Sequence, residues 1–234
     1  MLLAGAFVVF FVIVAAAVFL AIAGGATTPA GIRSWFLGLP AVQIQMAGEI
    51  AAVAFLLFLL PLVAQMSLRD LGFRPLKLSD VGYIAAATLA MVIVTDGLAS
   101  LLESALHTKV SEQAVTLYLS MKTPLAKAEF ALLGTVVAAV FEETVFRIVL
   151  FNAVRKWAGF WTGALVSGLF FGLAHLQSGS VTQGIVLALP LALGGVILCA
   201  AYAKTRNAYV PILTHGLFNS ISLVALLFAP QLGK

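Results

Sequence analysis

Charge is what this sequence has least of. Asp, Glu, Lys and Arg make up only 9% of its 234 residues while 62% are apolar, against about 25% and about 45–50% in soluble domains. That balance excludes a soluble globule. Cysteine is nearly absent: Cys199 stands alone, which excludes an intrachain disulfide framework and a cysteine-based zinc site. Its place inside an apolar run gives it the role of a small buried hydrophobe. No H-E-x-x-H segment sets two zinc-binding histidines one turn apart. The chain also lacks internal repeats, low-complexity tracts and an interdomain linker, so residues 1–234 read as a single membrane-embedded domain. The net charge is +4, but the basic residues sit between apolar runs, where membrane topology accounts for them. The bilayer is therefore an expected partner and nucleic acid is not.

What the chain has in abundance is hydrophobic length. A span of the hydrocarbon core takes about 20 apolar residues, so the expected fold is all-α, a polytopic transmembrane helical bundle of about seven or eight spans. Hydropathy places spans near Leu2–Ala23, Ala41–Met66, Val81–Leu102, Ala128–Val154, Phe160–Gln177, Gln183–Ala203 and Tyr209–Phe228. The first reads as a retained helix: Ala21-Ile22-Ala23 has a cleavage-site form, but no Lys or Arg precedes the apolar run. Val110, Ala114, Leu117, Tyr118 and Met121 recur at helical spacing and predict an interfacial amphipathic helix. Trp35, Phe36 and Leu37 suit headgroup depth.

Loops after the second, fourth and sixth spans carry Arg69, Arg74, Lys77, Arg155, Lys156, Lys204 and Arg206, against Arg33, Lys109, Lys122, Lys127 and Lys234 on the other side. The bias puts the first group, and the N-terminus, in the cytoplasm. The short-looped architecture predicts a bacterial or archaeal cell membrane.

Ionisable groups within spans are costly and by default functional. The fourth span contains Glu142, Glu143 and Arg147, the fifth Phe171 and His175, and the seventh His215 and Asn219; two of three histidines fall here. At about 100° per residue, Glu143 and Arg147 share a helix face while Glu142 points away from it. Glu143–Arg147 reads as a desolvated ion pair, either structural or holding substrate. Glu142, without a local cation, suits a proton acceptor. Phe171 with His175, and His215 with Asn219, repeat the i, i+4 spacing, so each helix presents one polar cluster. Gly168 and Gly172 form a G-x-x-x-G ahead of His175 and predict close backbone approach, while Gly194-Gly195 either admits a neighbour or gives flexibility. Glu49, Asp96, Glu103, Gln43, Gln45 and Gln183 carry no convergent partners and are read as structural or solvated. So are Asp70 and His107, in loops.

Glu142-Glu143-x-x-x-Arg147, Phe171-x-x-x-His175 and His215-x-x-x-Asn219, in that order on successive hydrophobic segments, resemble the CAAX prenyl protease and bacteriocin-processing (Abi) family of intramembrane proteases. The run from Tyr202 to His215 is similar too, and the resemblance covers roughly residues 128–229. It implies endoproteolysis within the bilayer on a peptide or membrane-protein substrate. By the same resemblance, Glu142 and His175 activate a water, and His215 with Asn219 stabilise the oxyanion. Glu143, Arg147 and Phe171 are supporting or substrate-contacting residues.

The residues alone agree with that chemistry, since peptide hydrolysis needs a base for water and donors for developing charge. No cofactor is required in the favoured reading. The alternative is zinc or another divalent ion held by Glu142, His175 and His215, with Glu143 as base. A different class also fits: a non-proteolytic membrane protein, either a proton-coupled transporter using Glu142, Glu143 and His175 or a regulatory scaffold. The paired halves with interrupted helices expected of a transporter are not found.

Overall fold

The computed structural model describes residues 39–110, 117–119, 121–177 and 179–228, together with 22, 25–28, 30 and 31. Apart from Ile22, the expected span Leu2–Ala23 lies outside the described residues, as do the Trp35–Leu37 stretch and most of the interfacial helix.

Among the described residues the fold is all-helical. Six helices carry it: α1 (Leu39–Ala64), α2 (Leu78–Ala105), α3 (residues 124–151), α4 (Asn152–Ala174), α5 (Val181–Thr205) and α6 (Tyr209–Phe228). Local chemistry sets their starts. Asp80 accepts from the Lys77 N–H at 2.9 Å at the head of α2, where a carboxylate also complements the helix dipole. Thr123 accepts from the Ala126 N–H at 3.1 Å with Pro124 in the first turn of α3, a favourable cap. Ser180 and Gln183 cap α5 reciprocally, at 3.2 and 2.9 Å, the capping-box exchange. Gln183 is therefore a helix-start residue. Gly159, at φ 80° and ψ 177°, breaks α4, so residues 160–174 return across the bundle as a separate arm.

Three stretches widen to π-helix: Val92–Asp96 in α2, and Leu133–Val137 and Thr144–Phe151 in α3. A π turn displaces backbone carbonyls from their usual partners, and two of those in α3 are met by side chains of other helices. Asn219 Nδ2 donates to the Gly134 carbonyl at 2.8 Å, and Ser167 Oγ donates to that of Phe146 at 2.8 Å.

Helices α4 and α5 form the most extensive pair, with α3 against α4, α6 and α5 against α2, and α1 against α3. The main core joins Leu56, Phe146, Phe151, Phe171, Cys199 and Tyr202, and Cys199 is buried as expected. The expected close approach is present. A Cβ on Gly168 would lie 2.5 Å from the Ala192 carbonyl oxygen, one on Gly172 would overlap that of Ala188, and one on Gly195 would lie 2.8 Å from the Gly168 Cα. Gly194-Gly195 thus admits a neighbour.

Every expected span from the second onward coincides with helix. By length and composition, however, only three helices among the described residues qualify to cross a membrane: Val42–Val63, Leu78–Ala105 and Val181–Thr205, with Tyr209–Ala225 a shorter apolar helix. The count of seven or eight is not reached by that measure, and the shortfall has a physical source. Helix α3 carries the charges of the polar cluster, and residues 160–174 rise only about 22 Å at 1.5 Å per residue, against a hydrocarbon core of about 30 Å.

Gly172→Ala should lower stability by about 1–3 kcal/mol, the usual range for overpacking, read as a lower melting temperature in detergent. Gly97→Ala is the matched control: its Cβ would meet nothing within 4 Å, and in a helix interior it should be neutral or stabilising by up to about 1 kcal/mol.

Candidate active site

The cluster is organised around two adjacent carboxylates with different surroundings. Glu143 is fully buried, and its Oε1 lies 3.0 Å from Arg147 Nη1, whose side chain is fully buried as well. The pair spans the junction between Ala138–Glu143 and the π stretch Thr144–Phe151. Arg147 also stacks its guanidinium over the Phe171 ring at 4.4 Å, a cation–π contact that strengthens when desolvated. Phe171, 1% exposed, meets Phe146 edge-on at 5.4 Å, His175 at 4.8 Å and His215 at 5.6 Å. It is a packing hub for the polar groups, which favours support over substrate contact.

The same Glu143 Oε1 lies 2.9 Å from His215 Nδ1. A carboxylate accepts, so His215 Nδ1–H donates and Nε2 is turned the other way. His175 Nδ1 lies 2.8 Å from the Phe171 carbonyl oxygen; a carbonyl can only accept, so here too Nδ1–H donates and Nε2 is free to face the cluster. Both Nε2 atoms point at one atom. Glu142 Oε2 lies 3.8 Å from His175 Nε2 and 3.9 Å from His215 Nε2, and it has no hydrogen-bond partner among the described residues. These separations exceed a direct hydrogen bond. Glu142 and His175 keep 20% and 33% of their side-chain exposure, so this side of the cluster is reachable while the Glu143 side is dry.

Six of the seven expected residues therefore come together through α3, α4 and α6. The seventh, Asn219, donates its amide to the Gly134 carbonyl rather than to Glu142 or either histidine. One oxygen and two nitrogens are also the donor set of a catalytic zinc. Two ligands on tetrahedral zinc stand roughly 3.4 Å apart for bonds of about 2.0–2.1 Å, closer than the 3.8 and 3.9 Å found here. Among the described residues no group of three or more His, Cys, Asp or Glu side chains is disposed to hold a metal ion.

One neighbour escaped the sequence reading. Glu49 of α1 is 4% exposed, accepts from Gln45 Nε2 at 2.9 Å, and lies close enough to Glu142 for their charges to interact. The signal was an acid in a span; only the packing of α1 on α3 brings it to the cluster.

Comparison with known proteins follows the same segment. Residues 124–221 match the Rce1-like type II CAAX prenyl endopeptidase family, the resemblance read from the motifs. Less than half of the chain lies in that matched stretch. All seven expected site residues fall inside it. The chain is 25% identical to "Putative membrane peptidase YdiL" of Bacillus subtilis (strain 168) over 93 residues, 40% of this chain and 35% of the relative. It is 28% identical over 152 residues, 63% of this chain and 41% of the relative, to a protein of Mycoplasma capricolum subsp. capricolum described as uncharacterized. The chain thus spans about a third to two-fifths of the length of these curated relatives. No solved structure matches it.

Arg147→Met should destabilise the protein by about 3–5 kcal/mol, the cost of stripping a buried charge of its partner, seen as a marked drop in detergent melting temperature. An unchanged melt would mean that water reaches Glu143.

Proposed function

We propose that this protein is an intramembrane endopeptidase that hydrolyses a peptide bond in a hydrophobic, lipidated or membrane-associated substrate. One observation carries the reading: two imidazole Nε2 atoms and a carboxylate oxygen, all acceptors in the tautomers their other partners impose, face one another across 3.8 and 3.9 Å. Acceptors alone repel, and a water molecule supplies two donors while leaving a lone pair for attack. Glu142 is the proton acceptor for that water and His175 orients it, holding its own ring through the Phe171 carbonyl. Attack on the substrate carbonyl places negative charge on its oxygen. As substrate displaces the resting arrangement, His215 takes a solvent proton on Nε2, and this imidazolium, braced from behind by Glu143, donates to that oxygen, the electrostatic stabilisation acyl transfer requires; the proton returns to solvent when the products leave. Glu142, now carrying the proton of the water, delivers it to the leaving amine, and the products separate.

Asn219 adds a donor through the amide hydrogen not committed to Gly134, which supports its place beside His215 in the oxyanion role. Arg147 and Glu143 position His215. The family of residues 124–221 supports the reaction class, and the hydrophobic setting supports a substrate delivered from the membrane. These residues act on water directly, and the reading requires no cofactor.

Glu142→Gln and His175→Ala should each reduce cleavage of a lipidated reporter peptide in detergent by at least about 10²-fold, the lower end of a positioned acid–base contribution, with melting temperatures nearly unchanged. Turnover surviving in either variant would remove the mechanism. Turnover should also persist after exhaustive chelation with metal content verified by elemental analysis; loss restored by zinc would instead assign Glu142, His175 and His215 to an ion.

A further inference from the structure

Three loops that hydropathy assigns to one side of the membrane are fastened together. The Ala208 N–H donates to the Gly72 carbonyl at 2.8 Å, and Tyr202 Oη to that of Leu71 at 2.9 Å. Asn152 Nδ2 donates to Tyr202 Oη at 2.9 Å, and Asn207 Nδ2 to Asp80 Oδ2 at 3.0 Å. Arg74 binds the Thr205 carbonyl. Gly72, at φ 100°, lies so close that an added Cβ would be 2.9 Å from the Ala208 nitrogen. The loops are a rigid platform.

On that platform Arg69, Arg74, Lys77 and Arg206 surround a cavity of about 560 Å³ with Leu76 at its edge and Asp70 as its one acid. The Asp70 carboxylate is engaged at 2.6 and 2.9 Å by the Ser67 hydroxyl and N–H, which hold it below the usual carboxylate range. Held ionised, it offsets one of the four cations and leaves the cavity positive. Arg206 occupies the left-handed region at φ 51°, a conformation unfavourable for a bulky residue. The strain projects an exposed guanidinium at the end of α5.

A second cavity of about 560 Å³ has Lys204, two residues before Arg206 in the sequence, among its lining. Lys204 stands at its head, and Tyr83, Ala87, Phe160, Ile197 and Ala200 line it between α2, α4 and α5. Its apolar walls run along α5 away from the cationic loops. Trp157 and Trp161, 85% and 69% exposed, lie at the same end of the bundle, as residues at headgroup depth do. Phe160 and His175 are at opposite ends of the arm 160–174, about 22 Å apart along its axis, so this feature is separate from the catalytic cluster.

We infer that the basic cavity and the apolar groove headed by Lys204 together form a binding site for one anionic phospholipid, its phosphate among Arg69, Lys77 and Arg206 and an acyl chain along Ala200 and Ile197. Charge complementarity selects the headgroup, since clustered Lys and Arg at interface depth attract anionic lipid. The groove distinguishes a lipid from a free phosphate, which has nothing to place there.

The test uses the full-length protein in detergent, with bound lipid read by native mass spectrometry and melting temperature. Phosphatidylglycerol should bind in preference to phosphatidylcholine and raise the melting temperature. Arg69→Gln/Lys77→Gln/Arg206→Asn should weaken phosphatidylglycerol at least about tenfold, as expected for losing charge-assisted contacts, while asparagine keeps the left-handed turn. Ala200→Phe, filling the groove and leaving the cations in place, should weaken phosphatidylglycerol without altering any response to inorganic phosphate. Equal retention of both lipids, wild-type affinity in the triple variant, or phosphate competing fully while Ala200→Phe has no effect would each overturn the assignment. If the triple variant melts lower without lipid, Ala200→Phe alone decides.

Discussion

Glu143 and Arg147 meet at 3.0 Å with neither side chain exposed, and His215 claims the same carboxylate oxygen at 2.9 Å. Burying two opposite charges costs several kcal/mol per ion, which attraction offsets only when further contacts satisfy them. Here the imidazole of α6 meets Glu143 Oε1 and the aromatic face of Phe171 in α4 underlies the guanidinium, while Glu143 Oε2 and the guanidinium nitrogens have no further hydrogen-bond partner among the described residues. The pair therefore sets the register of three helices. Its electrostatic demand holds His215 in one tautomer, and Phe171, pinned under Arg147, carries the backbone carbonyl that holds His175.

Adjacent residues divide the work through helix geometry. A turn of about 100° per residue puts one glutamate in the dry interior and its predecessor on the reachable side, with 0% and 20% side-chain exposure. The dry carboxylate has fixed partners and positions other groups. The wet one faces two acceptors and no donor among the described residues, the condition under which a polar group recruits a small hydrogen-bonding molecule. The π stretch that begins at Thr144 exposes the Phe146 carbonyl to Ser167, so the irregularity that shapes the site also ties α3 to α4.

Much of this was legible in the chain. Long apolar runs located the helices from residue 39 onward, because in lipid a backbone must satisfy itself locally. Polar residues in those runs named the cluster, because each is too costly to be incidental. What could not be read depends on how helices lean on one another. Glu49 was an isolated acid until α1 packed on α3. Asn219 shared a face with His215, yet its amide went to a carbonyl displaced by a π turn that no periodicity announces. Phe171 was matched to His175 by spacing, but its contact with Arg147 is purely tertiary. The number of crossings also escaped hydropathy, since a charged α3 and a short arm at 160–174 depart from the length and composition of a simple span.

The seam between α4 and α5 has a mechanical consequence. At Gly168 and Gly172 the two helices touch through main-chain atoms, against the carbonyls of Ala192 and Ala188. A joint of that kind has no rotamers to exchange, so its thermal amplitude is that of rigid backbone rather than of jostling side chains. His175 stands one turn beyond it and inherits that stiffness. Any widening of the cluster must therefore come from walls without such a stop, with the imidazole as the fixed reference.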